Sequence, residues 1–215
     1  MGQNITISLV ALAVFTAGLL GAELKQSRRA QIIFKPLAGL AFIALAIFCG
    51  ALENAYGQLI LLALVLSFIG DNLLLRKGTG PAFIGGLFAF LLAHIVYAIA
   101  FFRGGSLAFY ALLAALAILS ALAMGPLYKS HVDKATLAAT RLYGAIITIM
   151  VALAIRLGMD TGIWIIAVAA IMFAVSDVFV GRDRYIQQSP KNFLAITPLY
   201  FGAQAVFALS ILWPL

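Results

Sequence analysis

"LSFIGDNLLLRKGTG", Leu66–Gly80, sets an aspartate, Asp71, near the end of a run otherwise suited to lipid. The chain around it is 65% hydrophobic and 10% charged, with mean hydropathy +1.13, a balance far from that of soluble proteins. A helix crossing the hydrocarbon needs about 20 largely apolar residues. The 215-residue chain supplies eight such runs, at roughly 4–23, 34–52, 57–75, 82–102, 107–128, 139–157, 162–180 and 193–213. They are continuous rather than alternating, which excludes a β-barrel. The expectation is an all-α, polytopic membrane protein forming one transmembrane domain.

No basic residue precedes the first run, so no cleavable signal peptide is expected and the first helix is retained. Cys49 is the only cysteine, which rules out an intrachain disulfide and a thiol zinc site. The formal net charge of +7 is spread by joint, not gathered in one tail or domain, so nucleic acid is not an expected partner. The spread instead gives orientation. Lys25, Arg28, Arg29, Lys35, Arg76, Lys77, Lys129, Lys134, Arg141, Arg182, Arg184 and Lys191, twelve of the fourteen basic residues, fall at alternate joints. Only Arg103 and Arg156 lie on the other side. The positive-inside rule makes those joints cytoplasmic and puts both termini outside.

Helices 3 and 7 then run from outside to inside, and each carries an aspartate, Asp71 and Asp177, five residues before an arginine, Arg76 and Arg182. Five helical residues span about 7.5 Å, so both carboxylates sit at one depth near the hydrocarbon edge. An offset of 106 residues maps Lys35, Asp71, Arg76 and His94 onto Arg141, Asp177, Arg182 and Tyr200. This spacing suggests two parallel four-helix repeats, 1–106 and 107–215, about an axis along the membrane normal. Intramembrane carboxylates are costly and normally mark a substrate or ion path. Interhelical glue, or a snorkelling pair with the nearby arginine, is the plainer use.

Polar neighbours gather round the aspartates. Ser67 is one turn from Asp71 on the same face, with Asn72 adjacent. Phe83, Gly86, Phe90, His94 and Tyr97 form one stripe on helix 4, and Tyr200 and Gln204 are i,i+4 on helix 8. Glu53 lies at the outer end of helix 2, away from the aspartates. Gly18 and Gly21 are small, exposed residues on helix 1 that permit a homo-oligomeric contact.

The runs "SFIGDNLLL" and "FIGGLFAFLLAHIVYAIAF", with "KPL" at Lys35–Leu37, "RLYGAIITIM" at Arg141–Met150, "SDVFVGRDRY" at Ser176–Tyr185 and the Tyr200/Gln204 pair, closely resemble the YhhN-like family of lysoplasmalogenases. The resemblance runs in order over nearly the whole chain. It implies an integral membrane hydrolase that cleaves the sn-1 vinyl ether of a lysoplasmalogen. The products are a fatty aldehyde and glycerophosphoethanolamine or glycerophosphocholine. It implies no cofactor and no metal, a lysophospholipid substrate and lipid surroundings, and a bacterial inner (cell) membrane is the expected location. Asp71 and Asp177 are the expected catalytic pair, supported by Lys35, Ser67, Asn72, His94, Tyr97, Arg141, Tyr143, Ser176, Tyr200 and Gln204.

Those residue types suit the chemistry. Vinyl ether hydrolysis needs a proton for the carbon remote from oxygen, and then a base for the water that captures the oxocarbenium ion. Two carboxylates sharing a pocket titrate in separate steps, as in glycosidases, so one can donate while the other stays ionised. Either aspartate can take either role; Asp71 is the favoured acid because Ser67 and His94 are placed to tune it. Lys35, Arg76, Arg141 or Arg182 can hold phosphate at the interface.

Other readings stay open. A proton-coupled transporter or lipid flippase would use the same carboxylate pair. A metallohydrolase would use Asp71, Asp177 and His94. A serine hydrolase would use Ser67, His94 and Asp71 but lacks a nucleophile-elbow pattern.

Overall fold

The computed structural model describes residues 2–76 and 80–213, among which there are helices and no strand. Lys77, counted among the orienting positives, lies outside the described residues. The helices are α1 (Gly2–Leu24), α2 (Arg28–Phe48), α3 (Ala55–Leu74), α4 (Pro81–Phe101), α5 (Leu107–Tyr128), α6 (Lys134–Thr161), α7 (Trp164–Gly181) and α8 (Phe193–Leu209). A π turn over Arg182–Ile186 prolongs α7, and 3-10 turns at Pro190–Asn192 and Ser210–Leu212 flank α8. All eight segments are long and apolar enough to cross a membrane. Short joints make successive helices antiparallel, so the four basic joints share one end of the bundle.

Helices α2 and α6 begin at Arg28 and Lys134, earlier than their apolar runs suggest, so Lys35 and Arg141 lie about two turns inside them and not at their starts. Charge ends an apolar count but not a helix, because a long cationic side chain can reach past the hydrocarbon. The start of α6 is set by Asp133, whose carboxylate accepts from the Ala135 and Thr136 amides at 2.8 and 3.0 Å. Bonds from the Thr136 amide and hydroxyl, with that of Ala135, hold this carboxyl below its usual range. Glycine ends two helices. Gly50 follows α2 at φ 89° and Gly162 follows α6 at φ 78°, a left-handed conformation that other residues avoid.

Apolar burial does not draw helices together in lipid, so close packing of small and aromatic residues must do it. The α3–α4 contact shows how. A Cβ on Gly70 would stand 2.7 Å from the Phe90 ring and 3.2 Å from the Gly86 carbonyl, while one on Gly86 would stand 2.7 Å from Leu74. Only glycine at both places lets the two backbones approach this closely. The interior is filled by Phe42, Phe90, Tyr97, Phe101, Phe173, Tyr200 and Phe207, with Tyr97 and Phe207 centred 4.5 Å apart.

The outer helices are placed unequally. Helix α1 packs on α2 and also on α8, covering the seam where α2 meets α8. Helix α5 packs chiefly on α6, and its buried residues are Gly125 and Tyr128. The seam between α4 and α6 therefore stays open as an apolar groove of about 280 Å³, lined by Ile95, Ala98, Ile99 and Phe102 facing Ile146, Ile149 and Leu153. Gly18 is not a free contact surface: a Cβ there would meet the Phe34 ring of α2, whereas Gly21 has nothing within 4 Å.

Candidate active site

Asp71 follows Gly70, so the close α3–α4 approach fixes its backbone. Its side chain turns towards α2 and α8. Oδ1 lies 3.0 Å from the Lys35 ammonium, and Oδ2 accepts a 2.6 Å hydrogen bond from the Tyr200 hydroxyl. Asp71 is 3% exposed, so three helices are tied together around a buried ion pair. Its cation is Lys35 and not Arg76, which is exposed at the end of α3.

Asp177 of α7 has different company. Its Oδ2 accepts from the Tyr143 hydroxyl of α6 at 3.1 Å and lies 3.3 Å from His94 Nε2 of α4. Nε2 is fully buried and has no hydrogen-bond partner, with Asp177 its nearest acidic group. On the other side of the ring, Nδ1 is 2.7 Å from the Phe90 carbonyl. A carbonyl only accepts, so Nδ1 carries a proton and Nε2 is the ring nitrogen turned towards Asp177. The reason for favouring Asp71 as the acid is thereby corrected: His94 sits on Asp177. Arg182 bonds Gln187 at 3.3 Å and does not serve as the partner of Asp177.

The two carboxylates lie within electrostatic reach of one another. Phe90 and Phe173 bridge them: Phe173 is centred 5.3 Å from Tyr200 and 4.5 Å from His94, and Phe90 is 5.9 Å from Tyr200. Tyr200 and His94, the partners of the two acidic groups, therefore pack on one aromatic wall. The contacts are crossed, Asp71 of α3 with Tyr200 of α8 and Asp177 of α7 with His94 of α4, and the 106-residue offset relates both members of each pair.

The other expected residues divide into two groups. Ser67, Tyr97 and Gln204 join the site, all 0% exposed, with the Tyr97 hydroxyl donating to Gln204 Oε1 at 2.6 Å. Asn72, Ser176 and Arg141 do not. The Asn72 amide donates to the Phe68 carbonyl and the Ser176 hydroxyl to the Phe173 carbonyl, each at 2.7 Å, so both are spent on their own helices. Arg141 lies over Gly125 of α5, where a Cβ would come 2.7 Å from its guanidinium. No group of three or more His, Cys, Asp or Glu side chains converges as metal ligands among the described residues, so Asp71, Asp177 and His94 do not form such a set.

One carboxylate escapes sequence reasoning. Glu23 of α1 is 6% exposed and accepts a hydrogen bond from the Thr197 hydroxyl of α8. Lys35, Asp71 and Asp183 all lie within its electrostatic reach. Standing two residues before Lys25, it reads as an interface residue; only the packing of α1 on α8 turns it inward. Asp183 secures the entry to α8 by accepting from the Ser189 amide at 2.9 Å and the Asn192 side chain at 2.7 Å.

An eight-helix membrane bundle with two inward carboxylates, each held by a tyrosine hydroxyl, defines the class of molecule. The YhhN family model matches residues 30–211, and the chain belongs to the YhhN family. The human lysoplasmalogenase TMEM86B is 32% identical over 163 residues, which cover 74% of this chain and 66% of the human protein. The pig protein of the same name is 28% identical over 174 residues, covering 80% of this chain and 72% of its own length. The chain thus spans just under two thirds of the human relative. No solved structure matches it.

Proposed function

We propose that the protein hydrolyses the sn-1 vinyl ether of lysoplasmalogens, releasing a fatty aldehyde and the glycerophospho-headgroup. The observation that carries this reading is the unlike pair of carboxylates whose partners, Tyr200 and His94, share one aromatic wall. Asp71 receives hydrogens from an ammonium and a phenol, partners suited to an anion. Asp177 stands 3.3 Å from His94 Nε2, so one proton can be held between the two.

Asp177 with His94 delivers that proton to the vinyl carbon remote from oxygen. The C=C electron pair forms the new C–H bond, and the ether oxygen shares the positive charge. Asp71 is the anion beside the oxocarbenium ion and the base for the attacking water. The hemiacetal then collapses: its hydroxyl proton leaves, the bond to the glycerol oxygen breaks, and that oxygen takes up a proton. The aromatic wall of Phe90 and Phe173 adds a π face for the cation.

The groove between α4 and α6 suits the hydrocarbon chain. Its lining begins at Ile95 and Ile146, next in the chain to His94 and three residues after Tyr143, and continues to Phe102 and Leu153. That is seven residues of α4, or about 10 Å, directed away from the basic end. A lysolipid with its phosphate among the basic joints places its ether at the aspartates and its chain in this groove. In our reading the basic end is cytoplasmic, in the inner membrane of a bacterium, and the crossed contacts reflect two parallel halves, 1–106 and 107–215.

The test is aldehyde release from lysoplasmenylethanolamine by the purified protein, beside the saturated ether and acyl counterparts. Cleavage of the alkenyl lipid alone is expected. Lipid flux without product would overturn the proposal in favour of a transporter.

A further inference from the structure

Hydrolysis inside a bilayer requires a water that the hydrocarbon does not supply, and the bundle contains a set of polar atoms suited to hold one. Ser67 of α3 lies one turn from Asp71, and Gln204 of α8 one turn from Tyr200. Both face away from the basic end, about 6 Å deeper than the ion pair. Tyr97 of α4 completes the group. All three side chains are 0% exposed. Tyr97 spends its proton on Gln204 Oε1 at 2.6 Å, which leaves the Gln204 amide nitrogen and the Ser67 hydroxyl buried without a hydrogen-bond partner. The Ser67 hydroxyl lies beside the Tyr97 phenol, and the Gln204 side chain lies beside the Tyr200 phenol that bonds Asp71.

Leaving two such groups unpaired in the interior is costly, because each gives up its hydrogen bond to water and gains none in return. Buried waters typically make about three hydrogen bonds to polar groups of this kind. We propose that Ser67, Tyr97 and Gln204 form a niche that binds the hydrolytic water and presents it to the oxocarbenium carbon, with Tyr200 relaying its proton to Asp71. This rests on the vinyl ether reading. The water oxygen accepts from Gln204 Nε2 and donates one hydrogen to the Ser67 hydroxyl, leaving a lone pair for the carbon. On attack a C–O bond forms, and the released proton passes to the Tyr200 oxygen as Tyr200 passes its own to Asp71, so Asp71 ends as the carboxylic acid.

The niche makes a statement about which nucleophile is used. In a water–methanol mixture, capture by water gives aldehyde, whereas capture by methanol gives a stable mixed acetal that retains the glycerol. A site that holds water in place keeps the acetal-to-aldehyde ratio below that set by the solvent composition. The ratio is measured for the full-length protein and for Ser67→Ala and Gln204→Glu. Ser67→Ala deletes one small hydroxyl at the Tyr97 phenol, so folding is retained, and Gln204→Glu keeps the acceptor for Tyr97 while removing the amide donor. The expected result is a rise in the ratio of about tenfold, with kcat lowered about tenfold and KM unchanged. Active variants that partition as the parent protein does would overturn the niche. Absence of aldehyde from the parent protein would instead overturn the vinyl ether reading itself.

Discussion

The Asp71 side and the Asp177 side of the bundle start from similar sequence and end in different surroundings. Asp71 is sealed: α1 covers the α2–α8 seam, Glu23 bonds Thr197 across it, and the carboxylate is neutralised by Lys35. Asp177 is less covered. Its side chain is 14% exposed, its partner is a histidine on α4, and α5 leaves the α4–α6 seam open. One carboxylate has an ammonium within 3.0 Å and the other a histidine at 3.3 Å, so two chemically equal side chains acquire unlike partners from the helices packed around them. Position relative to a peripheral helix decides which side of the bundle is the more open.

The largest expected effect comes from removing either carboxylate. Asp71→Asn and Asp177→Asn should each lower kcat for aldehyde release by about 10³-fold, but only Asp71→Asn should also destabilise the protein, by about 1–3 kcal/mol, because it strands Lys35. Thermal unfolding in detergent separates the two, and equal losses of stability would break the contrast. Next come the tyrosines. Tyr200→Phe and Tyr143→Phe each remove a hydrogen bond to a carboxylate and should cost about 10–100-fold in kcat/KM, read from steady-state kinetics.

A smaller effect tests the open seam. Ala98→Trp fills the groove and should lower kcat/KM for long-chain lysoplasmalogens by about tenfold while sparing a short-chain analogue. A uniform loss across chain lengths would remove the groove from the account. The smallest effect belongs to the sealed side. Glu23→Gln keeps a hydrogen-bond acceptor for Thr197 and should leave activity within about threefold, whereas Glu23→Leu should lower stability by about 1 kcal/mol.

Much of this was legible from residue types and spacing. Eight apolar runs correspond to eight helices, and the paired aspartates, Lys35, Tyr200, Gln204, Ser67, Tyr97 and the stripe on α4 all turn towards one interior. The starts of α2 and α6 were not legible, because the apolar runs begin only at 34 and 139, beside Lys35 and Arg141, while the helices begin earlier, at Arg28 and Lys134. The crossing of partners was not legible either. His94 and Asp71 lie on adjoining helices, yet the imidazole reaches α7, because the rotation of α4 against α3 is set by Gly70 and Gly86 and not by distance along the chain. Arg141 matches Lys35 by offset, but it turns outward to α5, where Gly125 leaves room for its guanidinium. Glu23 was hidden by its closeness to the basic joint, and the groove depends on where α5 fails to pack.

The central claim is that two unlike carboxylates act on one bound molecule, and a double-mutant cycle on aldehyde release tests it most directly. If Asp71 and Asp177 work as a unit, the Asp71→Asn/Asp177→Asn protein should be no slower than the slower single variant, within about threefold. Losses that multiply, giving the product of the two single effects, would mean that the aspartates act independently and would contradict the account.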